Sequence, residues 1–306
     1  MRLTPRIFLL AVLLGLLTQP AFAQQIKAGV TQEILTPQRV RLALTYWESP
    51  EGQESPLIVL LHGEKGNRKK WGSMAKQFQA AGYAVIALDL RKHGDSAGAP
   101  TDAADGKADD DFKLKSIDYI AMAADDMDGL KAYIYQKHQA RELNMRKTGI
   151  VSVGPTCHVA ILAAARDWVR APHPDGSTLS SRTPRGQDVQ TLALISPETS
   201  LKGIKLNEPV AFLKSRGLAF YVIVGGKDEK AKKAADRMNK LLTSRLKEDD
   251  AKARVFYYHP KEVKLNGENL LRKHEKGMFE KLKQFHDLKL KSVQQPWRDR
   301  QSKLEK

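Results

Sequence analysis

What most limits the fold of this chain is an alternation between short apolar runs and longer amphipathic stretches. Residues 57–62, 84–89, 149–153, 191–195 and 219–224 are dominated by Val, Ile, Leu and Ala. Several of these runs are continuous, as strands buried on both faces are. Residues 39–47 instead alternate through Val40, Leu42, Leu44 and Tyr46, which predicts an edge strand with one wet face. A further strand is expected over 254–258. Between the strands, residues 69–81, 116–136, 157–169, 229–246 and 270–285 carry helical signals. In 116–136 the apolar face runs through Ile117, Ile120, Ala121, Ala124, Met127, Leu130 and Ile134. Strands that alternate with helices in this way predict a mostly parallel sheet covered on both faces. Hydrophobic residues make up 42% of the 306 and charged residues 28%, which supplies a full core and excludes global disorder.

The two ends and two loops stand outside this alternation. Residues 1–6 carry Arg2 and Arg6 and no acid, residues 7–17 are nearly all apolar, and Ala21-Phe22-Ala23 ends the segment. This is the pattern of a secretory signal peptide cleaved near Ala23, which places the mature protein outside the cytoplasm, secreted or periplasmic. The apolar run is short for a membrane span, and no later segment approaches that length. The economical division is a signal over 1–23, one domain over 24–288 and a charged tail over 289–306, expected to fray. Two polar loops, 94–115 and 172–188, are long enough to overhang a site or to be mobile.

The only cysteine is Cys157, so no internal disulfide can form despite the expected export. The net charge of +16, or +14 once Arg2 and Arg6 leave with the signal, favours anionic partners such as an envelope component. The basic residues are spread along the helices rather than gathered with aromatics, so specific nucleic-acid binding is not expected. No zinc-ligand spacing, EF-hand loop or phosphate-binding glycine loop occurs, so neither a metal nor a cofactor is expected.

Two segments carry a resemblance. Residues 57–63 end a buried strand in His62-Gly63. Residues 83–96 read Tyr-Ala-Val-Ile-Ala-Leu-Asp-Leu-Arg-Lys-His-Gly-Asp-Ser, with Lys92 where a glycine is usual. In combination they resemble the α/β-hydrolase family, in which one strand ends in His-Gly and the next in Asp-x-Arg-Gly-His-Gly-x-Ser. The resemblance implies a three-layer α/β sandwich. It also implies that the turn at His62, Gly63 and Glu64 lies at the carboxyl edge of the sheet, where an amide of Glu64 or its neighbour would face a developing oxyanion. The histidine equally serves to brace that turn.

The same resemblance locates the remaining landmarks. The nucleophile elbow, Gly-x-Ser-x-Gly, corresponds to Gly154-Pro155-Thr156-Cys157-His158, with Thr156 at the serine and His158 at the second glycine. Cys157 is an alternative nucleophile, although neighbouring residues at a helix start point about 100° apart and do not pair by adjacency. The acid corresponds to Asp228, at the end of residues 222–228, which could equally cap the following helix. The histidine position holds Asn266, in Asn266-Gly267-Glu268-Asn269-Leu270-Leu271. Asparagine cannot act as a general base, which leaves His259 and His274 to weigh as substitutes. Members of a triad act as a unit, so such substitutions favour a pseudo-hydrolase that binds a small molecule or partner. The competing reading is a hydrolase of ester, amide or other acyl substrates using Thr156 or Cys157 with His158 or His259.

Overall fold

Residues 27–98, 114–198, 200–201 and 203–305 are described by the computed structural model of the chain. The signal expected over 1–23 and most of the loop over 94–115 lie outside them. The apolar runs become strands because each side chain finds a buried face. The strands are β1 (Val30–Leu35), β2 (Arg41–Trp47), β3 (Pro56–Leu61), β4 (Ala84–Leu88), β5 (Asn144–Val153), β6 (Val189–Ile195), β7 (Ala219–Ile223) and β8 (Val255–Tyr258). They form one sheet in the order β1-β2-β4-β3-β5-β6-β7-β8, antiparallel at β1/β2 and β2/β4 and parallel from β4 to β8.

The helices are α1 (Gly72–Ala80), α2 (Ser116–Ala121), α3 (Met127–Gln139), α4 (Thr156–Val169), α5 (Asn207–Ser215), α6 (Glu229–Thr243), α7 (Glu248–Arg254), α8 (Gly267–Lys273) and α9 (Glu275–His286). Strand alternation divides the core in two. Leu57, Val59 and Leu61 of β3 pack with Leu130 of α3, Ile161 of α4, Val210 of α5 and Met238 of α6. Ile58 and Leu60 face the other way, with Phe78 of α1 and Met278 and Leu282 of α9. Each such side chain contributes about 1.5–3 kcal/mol by leaving water. The result is the three-layer α/β sandwich expected.

Several expectations need correcting. Residues 39–47 do not form the edge. β1 pairs outside β2, and Leu42, Ala43, Leu44, Tyr46 and Trp47 are all buried. The β1 sequence, Val-Thr-Gln-Glu-Ile-Leu, is too polar to announce a strand. The helix expected over 116–136 is interrupted by a π turn, Met122–Asp126. That turn presents Asp125 and Asp126 together to Arg91, at 2.6 Å and 2.7 Å. Its extra residue shifts the helical phase. Upstream of it, Asp118 and Tyr119 turn inward, while Ile117 and Ile120 are 64% and 46% exposed. The stretch 270–285 is two helices, α8 and α9, separated at His274.

The tail does not fray. Residues 293–305 have neither helix nor strand, yet they run as a strap past the amino ends of β5 and β6, with Arg300 and Ser302 each 3% exposed. The loop 172–188 leads into the amino end of β6 and is pinned by that strap through Lys303 N–H, which donates to Asp175 Oδ2 at 3.0 Å. It therefore lies at the end of the sheet opposite the carboxyl ends of the parallel strands and cannot overhang a site there.

Candidate functional site

The parallel strands end at a common edge, and the turns leaving β3, β5, β6 and β7 enclose a cleft of about 600 Å³. Among its lining residues are Gly63 and Glu64 after β3, Gly154 and Pro155 after β5, Ser196 and Glu198 after β6, and Asp228 after β7, with Asn266, Gly267 and Glu268 leading into α8. This is where an open α/β sheet places its ligands.

The strand-to-helix turn after β5 is the centre of the cleft. A nucleophile elbow holds its nucleophile at the strained apex of such a turn. Here the apex is Gly154, with φ +61°. Thr156 lies two residues later and is already the first residue of α4. The equivalence expected for Thr156 is therefore displaced. Counted from the apex, Ser152 and Thr156 stand at the two small-residue positions, and Gly154 stands where the nucleophile would be. The displacement has a readable cause. Pro155 suits the start of a helix, so the helix begins at once and the turn must lie before it. A Cβ built on Gly154 would meet nothing within 4 Å, so the space above the apex is open.

The candidate nucleophiles point elsewhere. Thr156 is 1% exposed, and its hydroxyl donates to the Val153 carbonyl at 3.0 Å. Cys157 is wholly buried against the carbonyls of Ser152 and Ile195, at 3.6 Å and 3.8 Å, and burial pushes its thiol up to about 12. His158 is wholly buried as well, with no hydrogen-bond partner on either ring nitrogen among the described residues, and burial lowers it to about 4. None of the three lines the cleft.

Asp228 and Asn266 do meet. Asn266 Nδ2 donates to Asp228 Oδ2 at 2.6 Å, while Asp228 Oδ1 accepts from Ala231 N–H at 2.9 Å and caps α6. Asp228 thus caps α6 and holds Asn266 at the cleft. His259 lies outside the cleft, its ring 4.8 Å from that of Tyr257. His274 is paired with the Tyr258 hydroxyl at 3.3 Å and does not line the cleft.

At the first turn, His62 is a brace. Its Nδ1–H donates to the Gly63 carbonyl at 2.8 Å and its Nε2 accepts from Leu90 N–H at 3.2 Å. Burial lowers it to about 4, so it stays neutral in that role. Glu64 faces the cleft and accepts from the Tyr119 hydroxyl at 3.0 Å. Across the cleft, burial and then the charge of Glu64 raise the Glu198 carboxyl.

The residue the sequence did not single out is Glu268. Its Oε1 accepts from Gly63 N–H at 3.2 Å, and its other oxygen pairs with Lys70. Gly66 makes room for it, since a Cβ there would lie 1.7 Å from Glu268 Oε1. An oxyanion hole takes one amide from this turn and one from the residue after the nucleophile. The first turn here gives the Gly63 amide to a carboxylate of the chain itself. The residue after the apex is Pro155, which has no amide hydrogen.

Comparison with known proteins agrees with this fold. Residues 56–146, less than half of the chain, match the α/β-hydrolase-fold family. No curated protein sequence matches the chain. Similar solved structures include a Pyrococcus furiosus esterase, 13% identical, with a TM-score of 0.54 over 87% of this chain and 92% of that one. A dienelactone hydrolase from Anabaena variabilis is 13% identical, with a TM-score of 0.56 over 86% of this chain and 100% of that one. A thermostable carboxyl esterase from Bacillus coagulans is 12% identical, with a TM-score of 0.57 over 85% and 98%. At such identities the likeness speaks for the fold and not for the reaction. By its sheet, its strand-to-helix turn and its matched segment, the chain has the α/β-hydrolase fold.

Proposed function

We propose that this chain is an exported binding protein on a hydrolase scaffold, with the cleft above Gly154 as its ligand site, and not an acyl-transfer enzyme. The observation that carries the reading is the pair Gly154-Pro155 at the turn apex. Glycine offers no nucleophile and proline offers no amide to an oxyanion. Asn266 beside Asp228 cannot take a proton from an attacking group. Thr156 and Cys157 are buried beneath the turn, so hydrolysis through either gains no support from the geometry. The cleft lining carries both signs of charge, with Glu64, Glu198, Asp228 and Glu268 beside Lys65 and Lys230. A polar small molecule suits it better than an acyl chain.

The test pairs chemistry with binding. The purified mature protein is treated with a fluorophosphonate probe and with activated esters, and screened in parallel for small molecules that raise its Tm. The expected result is no labelling or turnover above the heat-killed control, with ligand-induced shifts that disappear in Ala234→Trp, which fills the cleft. Saturable labelling or turnover would overturn the reading. For export, amino-terminal sequencing of the extracytoplasmic form is expected to begin at Gln24; retention of the first 23 residues in the cytoplasm would refute it.

A further inference from the structure

The strap at the carboxyl terminus is held by more than surface contact. The Trp297 ring stacks on the buried His138 ring at 5.0 Å, and its Nε1–H donates to the His138 carbonyl at 2.9 Å. Asn144 Nδ2 donates to the Gln295 carbonyl at 2.8 Å. Three residues beyond Trp297, Arg300 enters the interior, where its guanidinium pairs with Asp188 and donates to the Pro184 carbonyl at 2.7 Å.

Behind Arg300 lies a largely buried ionic group. Lys131 of α3 pairs with Asp167 of α4 and, at 2.6 Å, with Asp188 just ahead of β6. Asp167 is 6% exposed and Asp188 3%. Without Arg300, two buried carboxylates share one ammonium. With it, the charges balance. Arg146 of β5 is also near, but its guanidinium is aimed at the strap and donates to the Pro296 carbonyl at 2.8 Å. An unpaired charge at such a depth is far more costly than a pair.

We propose that the strap is a latch: docking of Arg300 completes the charge balance of the buried group, so the native state becomes available only when residue 300, which follows every described strand and helix, has arrived. Every strand and helix of the sheet precedes the latch. A chain delivered amino terminus first, by a ribosome or across a membrane, therefore stays short of its final packing until residue 300 emerges. The same docking organises the loop 172–188, since the Asp175 carboxylate that accepts from Lys303 N–H also accepts from Thr183 N–H at 2.8 Å.

Charge balance and mere packing predict opposite outcomes in one set of full-length variants. Arg300→Met leaves a surplus buried negative charge and Asp188→Asn a surplus positive one. The double variant leaves Lys131 and Asp167 balanced. Each single change is expected to lower the urea midpoint by about 1 M or more, and the double variant is expected to stand above both. In Arg300→Met, amide exchange is expected to accelerate throughout β5 and β6 as well as in the strap. If a single variant does not fold while the double one does, the proposal holds. A double variant at or below the weaker single one, or one that fails to fold, would overturn it. So would an Arg300→Met protein whose exchange rises only over 293–305 with the midpoint unchanged.

Discussion

Asn266 Nδ2 stands 2.6 Å from Asp228 Oδ2, so the carboxylate at the position expected for a triad acid has a partner that holds its place and cannot carry its proton. The interaction is that of a positioned dyad with the basic member replaced by an amide. Restoring the base alone gives nothing to activate, because the apex is Gly154.

Stepwise restoration should therefore be sharply non-additive. Gly154→Ser places a hydroxyl in open space at a stability cost of about 1–2 kcal/mol for the left-handed backbone. It is expected to remain unreactive to a fluorophosphonate. Adding Asn266→His is expected to give weak labelling, and adding a non-proline residue at 155 to strengthen it by restoring an amide. Labelling rate is the measurement. Full reactivity of Gly154→Ser alone would mean that the first turn and Glu268 do not oppose the chemistry.

Cys157 should be inert in the folded protein. It is wholly buried and its thiol is pushed up to about 12. Modification by a thiol reagent is expected to follow the global unfolding rate and to rise steeply in denaturant. Rapid modification under native conditions would contradict the position of the side chain.

Acid should destabilise the fold through its buried histidines. Burial is the leading cause that holds His62 and His158 at about 4 and His286 at about 3. In the unfolded chain each titrates near pH 6.5. Below that pH the unfolded chain binds protons that the folded chain refuses, so stability is greatest above about 6.5 and is lost as pH falls toward 4. Each histidine contributes up to about 1.4 kcal/mol per pH unit in that window. Because neither ring nitrogen of His158 has a partner among the described residues, His158→Leu is expected to make this slope shallower. Urea midpoints at pH 7.5, 6 and 5 measure it, and a flat profile would refute the account.

Lys92 sits at φ +67°, where the resembling family carries glycine. Its ammonium pairs with Asp118 at 2.8 Å, a contact that is partly solvated. Release of the left-handed strain outweighs such a pair, so Lys92→Gly is expected to stabilise the protein by up to about 1 kcal/mol. Lys92→Ala loses the contact without relieving the backbone and is expected to destabilise. Thermal unfolding of the two variants should move in opposite directions.

The sequence discloses those parts of the molecule whose physics is local. Continuous runs such as Leu57 to Leu61 announce buried strands because both faces must be apolar, and Asp228 and Asn266 were found through spacing that the sheet preserves. What it concealed depends on contacts distant in the chain. β1 exists because β2 offers it an edge, not because its own residues demand a strand. Ile117 and Ile120 face outward because a π turn, set by Arg91, shifts the helical phase. Glu268 lies 205 positions from the amide it occupies. The elbow is hidden for another reason: Gly154 has the letter of the motif's first glycine, while the backbone uses it as the apex.

That glycine bears on how the scaffold could change. Active members of such a fold hold a side chain in a backbone conformation that resists it, a tension maintained for the sake of reactivity. Gly154 adopts the same conformation without that tension. The relaxed turn makes the present backbone a local optimum of stability. On the proposed reading, a side chain placed at the apex lowers stability first, and it gains rate only when a nucleophile, a base and a second amide are present together.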